Sequence, residues 1–482
     1  MEDFDLNLVA RKSVKSVFAL VSRTFLVQLL GIVASLVLTI FLSPENFGVF
    51  FIVSSVVVFL NYFSDIGLAA SLIQKKEEPT VQELRTTFTI QQALVLLIVV
   101  PAFIFSGNIT DFFKLDSSGY FLFIAFLISF LLSSLKTIPT ILLERRLDFH
   151  RLVVPQIAEN LVYNLALIVL AVGGFGVTAF TVAVLLRGVV GLILMYYIQP
   201  WAIGLHFDKN IAKKLLSFGV PFQLNSLLAL FKDDFINIYI GKILPLAPVG
   251  YVGLAQKWAF LPLRLILDNV IKIIFPSFSR LQHDKASLRV VMEKSLFMIS
   301  FFIFPFAVGF IMFSPFLIEY IPRYSKWEPA ILSLMFFSLN AVFGSLTTPI
   351  TNFLNAIGKV KITLYLMIFW TALTWILTPI AIYLFGFNGV AIASFLVSVS
   401  TLVSIVVVRK YIQFSFITPI SKQFVAAAFM IFFVYATKSI IVSLPLLIFD
   451  AFLSGLFYIT LLSLLARKEM FSAIRFIKSN IK

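Results

Sequence analysis

Four ionisable residues, Lys257, Arg264, Asp268 and Lys272, interrupt an otherwise apolar run at spacings of 7, 4 and 4. At about 100° per residue that spacing keeps all four on one helical face about 80° wide. A polar stripe along a single face suits the lining of a wet cavity, and Arg264–Asp268–Lys272 also suit mutual i,i+4 pairing. A second group, Lys232-Asp233-Asp234, is net acidic and suits a proton, a cation or a salt bridge. Arg23, Lys136, Arg187, Asp65 and Glu159 complete the charges set in apolar sequence. Catalytic patterns are missing. The histidines are His150, His206 and His283, far apart, with no HExxH arrangement and no Walker-type GxxxxGK[ST] run.

The surrounding composition fixes the class. The chain has 482 residues, 60% hydrophobic and 13% charged, with 56 phenylalanines and a mean hydropathy of +1.02. Soluble domains carry about 25% charged residues, so this is an all-α polytopic membrane protein. Cysteine is absent, which removes disulfides, thiolate metal sites and thiol nucleophiles. MEDFDLNLVARKSVKS has no small-residue cleavage site and reads as a cytosolic leader.

A spanning helix needs about 20 apolar residues. Fourteen segments qualify: 14–42, 47–73, 84–105, 118–142, 153–173, 176–199, 212–241, 248–278, 292–314, 329–354, 360–384, 387–408, 423–443 and 446–466. With the N-terminus inside, the inner loops and tails hold 26 Lys and Arg residues and the outer loops only 5. That asymmetry places both termini in the cytoplasm and the chain in a cytoplasmic membrane. It also explains the net charge of +15 without a nucleic-acid partner.

Local matches recur about 200 residues apart: Gly48-Val49 with Gly250-Tyr251, Asp65 with Asp268, Ser134-Leu135 with Ser345-Leu346, and Gly176-Val177 with Gly389-Val390. They predict two pseudo-symmetric six-helix lobes, 1–205 and 206–412, around a central cavity, with helices 13 and 14 and a tail over 413–482. A charge at mid-membrane costs on the order of 2.5–3.5 kcal/mol, so such groups are expected to face a wet cavity or one another. Arg23 and the helix-eight stripe are assigned to the cavity. Arg187 stands mid-helix with no acid one turn away, and Lys136 is expected to snorkel. Asp65 and Glu159 are expected to pair with Arg145 and Arg146, Asp65 either anchoring helix two or latching an inner gate.

The stretches LSPENFGVF (42–50), FSDIGLAASLIQKKEEPTVQELRTTF (63–88), LLERRLDFHRL (142–152), GKILPLAPVGYVGLAQKWAFLP (241–262) and IIFPSFSRLQHDKASLR (273–289) resemble the polysaccharide transporter family. Its members are lipid-linked oligosaccharide and O-antigen flippases of the multidrug/oligosaccharidyl-lipid/polysaccharide exporter superfamily. The resemblance implies two six-helix bundles around a V-shaped cavity. It implies alternating access that carries a polyprenyl-diphosphate-linked glycan from the inner to the outer leaflet, alongside other polysaccharide-assembly membrane proteins. Arg23, Lys257, Arg264, Lys272 and Arg187 are then the diphosphate-binding candidates. Asp65, Lys232, Asp233, Asp234, Asp268 and Glu159 are the coupling or gating candidates. Relatives carry an Arg and an Asp along helix seven where this chain has Lys232-Asp233-Asp234. No cofactor is expected; a proton or sodium gradient drives the cycle, and the chain is not an enzyme. The alternative within the superfamily is a multidrug/cation antiporter, which an excess of embedded bases disfavours.

Overall fold

The computed structural model describes residues 26–64, 66–75, 77–217, 230–232, 234–467 and 469–470. The chain divides into two compact units, Met1–Gly250 and Tyr251–Lys482. Among the described residues every regular element is helical, and eleven helices are long and apolar enough to cross a membrane.

The first unit runs α1 (Leu26–Phe41), α2 (Pro44–Tyr62), α3 (Leu68–Gln74), α4 (Val81–Ile104), α5 (Ser106–Phe112), α6 (Ser117–Leu135), α7 (Thr137–Arg145), α8 (Phe149–Val172), α9 (Val177–Ile198), α10 (209–217 as described) and α11 (Phe235–Ile243). Short polar residues start these helices. Ser43 caps α2 ahead of Pro44, Asp116 caps α6, Asp148 caps α8, and Thr80 with Glu83 forms a capping box on α4. α6 packs on α9, and α9 on α8, with Phe180 stacked on Phe50 at 4.4 Å and edge-on to Phe47 at 6.0 Å.

Two spans of this unit are not continuous. Helix two, read as unbroken over 47–73, stops at Tyr62 and restarts at Leu68, after Gly67 turns the backbone to φ 77°. Only glycine adopts that conformation without cost. Helix four, read as unbroken over 118–142, is divided at Lys136 into α6 and α7.

α12 (Leu246–Ala259) begins at the end of this unit. Gly48 on α2 and Gly250 on α12, which correspond in the internal repeat, meet here. A Cβ on Gly48 would stand 1.9 Å from the Leu246 carbonyl oxygen, and one on Gly250 1.9 Å from the Pro44 carbonyl oxygen. Bare backbone at both positions lets the helices touch main chain to main chain.

The second unit continues helix eight through a π-helical turn, Leu263–Leu267, into α13 (Asp268–Arg280). There follow α14 (Lys285–Tyr320), α15 (Ala330–Ala356), α16 (Val360–Phe385), α17 (Asn388–Ser400), α18 (Val403–Arg409), α19 (Thr418–Thr437) and α20 (Leu444–Leu465). Its core gathers Phe278, Met292, Leu296, Ile350, Phe353, Val408 and Tyr458, with Phe278 edge-on to Phe353 at 5.4 Å. α19 and α20 form a hairpin against α14, tied by Tyr458 donating to the Phe301 carbonyl oxygen at 3.1 Å.

Helix eight therefore does not keep one angular period. Pro262 has no amide hydrogen to donate, its ring crowds the carbonyl one turn back, and the chain widens to a π turn directly after it. The 100° rule that put Lys257 on the face of Arg264 does not hold across that turn.

Candidate functional site

α8 presents Gln156, Glu159, Asn160, Tyr163 and Asn164 at relative positions 0, 3, 4, 7 and 8, which is one helical face. Asn160 and Asn164 each donate to the carbonyl oxygen four residues back, at 2.7 Å. Glu159 is the charged centre. It lies ten residues into α8, about 15 Å from the helix start, so near mid-span.

Two cations converge on Glu159 from other helices. Lys136, at the α6–α7 junction, places Nζ 2.6 Å from Oε1, and Arg187 on α9 places Nε 3.9 Å from Oε2. The Lys136 and Glu159 side chains are 13% and 10% exposed, whereas Arg187 is 47% exposed. The guanidinium carbon stands 5.7 Å from the centre of the Tyr163 ring. Gly191, one turn beyond Arg187, makes the room. A Cβ there would lie 2.0 Å from Glu159 Oε1.

Neutral groups extend the layer to α4. Gln91 Nε2 donates to Thr137 Oγ1 at 2.8 Å, Ser134 Oγ donates to Gln92 Oε1 at 3.2 Å, and Tyr196 donates to the Leu135 carbonyl oxygen at 2.9 Å. The layer thus crosses α4, the α6–α7 junction, α8 and α9. Its two cations flank one carboxylate, leaving one positive charge in excess. Lys136 is fully engaged at hydrogen-bond distance; Arg187 is held loosely, is half-exposed, and is the group able to meet an anion.

This arrangement revises three expectations. Lys136 does not snorkel but closes a buried ion pair. Glu159 pairs with Lys136 and Arg187 and not with Arg145 or Arg146. Arg145 instead donates to main chain at the end of α3: to the carbonyl oxygens of Leu72, Ile73 at 3.3 Å, Lys75 at 2.8 Å and Glu77 at 2.7 Å. Leu72 and Ile73 lie in the last turn of α3, whose carbonyls lack partners within the helix, and the guanidinium reaches them together with two carbonyls of the segment that follows.

Lys257 on α12 and Lys272 on α13 are exposed. Lys232 is half-buried, and Asp234 precedes α11 without a side-chain cap. Arg23, Asp65 and Asp233, together with the side chains of Arg264 and Asp268, lie outside the described residues. One embedded acid escaped the sequence reading. Asp450 on α20 is buried and accepts from Thr437 Oγ1 on α19 at 3.2 Å. An acidic residue inside the run 446–466 was its signal. Among the described residues no group of three His, Cys, Asp or Glu side chains could hold a metal ion.

Comparison with known proteins puts this layer in context. The family described as polysaccharide biosynthesis protein matches residues 37–332, more than half of the chain. The chain belongs to that family. It is 25% identical over 355 residues to the Escherichia coli K12 lipopolysaccharide biosynthesis protein WzxC, covering 71% of this chain and 70% of that one. It is also 25% identical over 322 residues to the Bacillus subtilis teichuronic acid biosynthesis protein TuaB, covering 64% of each. Among solved structures, the inward closed lipid II flippase MurJ superposes with a TM-score of 0.77 at 17% identity, over 94% of this chain and 99% of that one. An inward-facing multidrug-resistance transporter of the same exporter superfamily gives 0.61 at 18% identity, over 82% and 98%. The fold is that of these solved transporters, and the protein is a multi-pass membrane member of the polysaccharide biosynthesis protein family.

Proposed function

We propose that this family member is a flippase that moves a polyprenyl-diphosphate-linked oligosaccharide from the inner to the outer leaflet of the cytoplasmic membrane by alternating access. Both termini are then cytoplasmic, and the chain performs no covalent chemistry. The observation that carries the reading is the net-positive mid-span layer, in which Arg187 is the loosely held, half-exposed cation. A diphosphate brings negative charge to membrane depth and needs such a partner, while the lipid tail stays among apolar helix faces. Lys257, Lys272, Arg264 and Arg23 are assigned the same task, and Asp65, Lys232, Asp233, Asp234, Asp268 and Glu159 coupling or gating. A proton or sodium gradient supplies the driving force, consistent with a sequence that has no nucleotide-binding motif.

The test is movement of a labelled lipid-diphosphate oligosaccharide in proteoliposomes, with and without an imposed proton or sodium gradient. Gradient-stimulated movement is expected, reduced at least tenfold, on the order of one lost charge-assisted contact, by Arg187→Gln and by Arg264→Ala at unchanged protein abundance. Efflux of a cationic dye without lipid movement would overturn the reading in favour of a cation antiporter.

A further inference from the structure

The first unit also contains a pocket of about 530 Å³ lined by Ser71, Leu72, Gln74 and Lys75 of the α3 end, Glu83 of α4, and Asn210, Ile211, Lys214 and Leu215 of α10. Its size lies within the range of about 300–1,000 Å³ usual for ligand sites. Leu72 and Leu215 are buried, belong to the cluster that includes Leu68, Phe88 and Ile141, and give the pocket an apolar floor. Its polar groups sit around that floor.

The negative groups at its edge are already satisfied. Glu83 takes Lys75 Nζ on both oxygens, at 2.8 and 2.9 Å, and accepts from the Thr80 amide at 2.8 Å. Arg145 donates to the Leu72 and Ile73 carbonyl oxygens in the last turn of α3, offsetting the negative end of that helix. Asp208, beside it, accepts from the amides of Asn210 and Ile211 at 2.7 and 3.0 Å. Lys214 is different. It is exposed and has no ion-pair partner among the described residues. Counting only the lining side chains, Lys75, Glu83 and Lys214 leave one positive charge, while Lys75 also stands 3.5 Å from Glu77 outside the lining; Gln74 and Asn210 add amide donors.

An apolar floor beside the Lys214 cation, at helix ends that also carry Lys209 and Arg85, fits an anionic amphiphile at a membrane surface. We infer that this pocket binds the phosphate-bearing headgroup of a membrane lipid, with Lys214 as its charged contact. The inference goes beyond the flippase reading. A phospholipid of the surrounding leaflet and a polyprenyl diphosphate both present the required chemistry.

Binding of radiolabelled phosphatidylglycerol and of farnesyl diphosphate to the purified full-length chain in detergent tests the assignment, with phosphatidylcholine as the zwitterionic control. Saturable binding of at least one of the two anionic lipids is expected, weakened about fivefold by Lys214→Gln. Lys213→Gln, a neighbouring exposed lysine outside the pocket, is expected to leave it unchanged. Preference for phosphatidylglycerol identifies a leaflet lipid, and preference for farnesyl diphosphate identifies the transported class. Either upholds the pocket. Equal weakening by the two lysine variants, or competition by inorganic pyrophosphate as effective as by lipid, overturns it. Loss of flipping with this binding intact would count against the transport reading alone.

Discussion

The charged layer of the first unit and the α15–α17 pair of the second bury polarity in different ways. In the first, Lys136, Glu159 and Arg187 come from three helix segments and satisfy one another only by tertiary contact. In the second, the interior polar groups of α15 and α17 are hydroxyls that mostly look after themselves. Ser338 and Ser345 donate to carbonyls one turn back on α15, and Ser398 does the same on α17. Two links cross: Ser333 Oγ donates to Asn388 Oδ1 at 2.7 Å, and Thr347 Oγ1 to Thr401 Oγ1 at 2.9 Å, where α17 gives way to α18. A hydroxyl bonded within its own helix needs no neighbour and tolerates sliding. A buried carboxylate does need its neighbours, because an uncompensated charge at that depth is costly. The charged layer of the first unit is therefore a set that has to move together.

Removing the carboxylate should separate the units most sharply. Glu159→Ala leaves Lys136 buried and unpaired, and is expected to lower stability by about 3–5 kcal/mol in detergent thermal unfolding. A loss no larger than that of a second-unit hydroxyl variant would erase the contrast. Next in size, Gly191→Ala drives a methyl into the space of the Glu159 carboxylate. It should cost about 1–3 kcal/mol, whereas Gly455→Ala, which meets nothing within 4 Å, should not destabilise.

Outside the membrane segments, Asp116 offers an intermediate case. Its carboxyl is held below the usual carboxylate range first by the Ser118 hydroxyl at 2.7 Å and then by the Gly119 amide. Its contribution to the α6 cap is present above the ordinary carboxylate pKa and is lost as pH falls through the depressed one. Asp116→Ala should cost about 1 kcal/mol near neutral pH, a difference that shrinks in acid. The smallest effect belongs to Thr347→Val, about 0.6 kcal/mol, the ordinary value of an interhelical hydroxyl bond in a membrane protein. A value several times larger would mean that α15 and α17 depend on this contact as the charged layer depends on its ion pairs.

The helices were legible because apolar runs of spanning length and their polar ends are local signals. The breaks were partly so: Gly67 and Pro262 stand in the sequence at the interruption of helix two and at the π turn of helix eight. Lys136 carries no comparable mark. The charged layer was the least legible part. Facing can be computed along one helix, as for Lys257 to Lys272, but Glu159 is 23 residues from Lys136 and 28 from Arg187, on different segments. Which helices touch is decided by packing. Arg145 misled for a related reason: an embedded acid in the same unit suggests a salt bridge, while the stronger demand came from carbonyls that have no one-letter code.

Gly191 has a consequence for how this protein can change over time. The Glu159 carboxylate occupies the volume that every other amino acid would give to its own first side-chain carbon. Neither position is free to drift by itself, so in an alignment of relatives the two columns should covary, with side chains appearing at position 191 only where the acid at 159 has been shortened or lost.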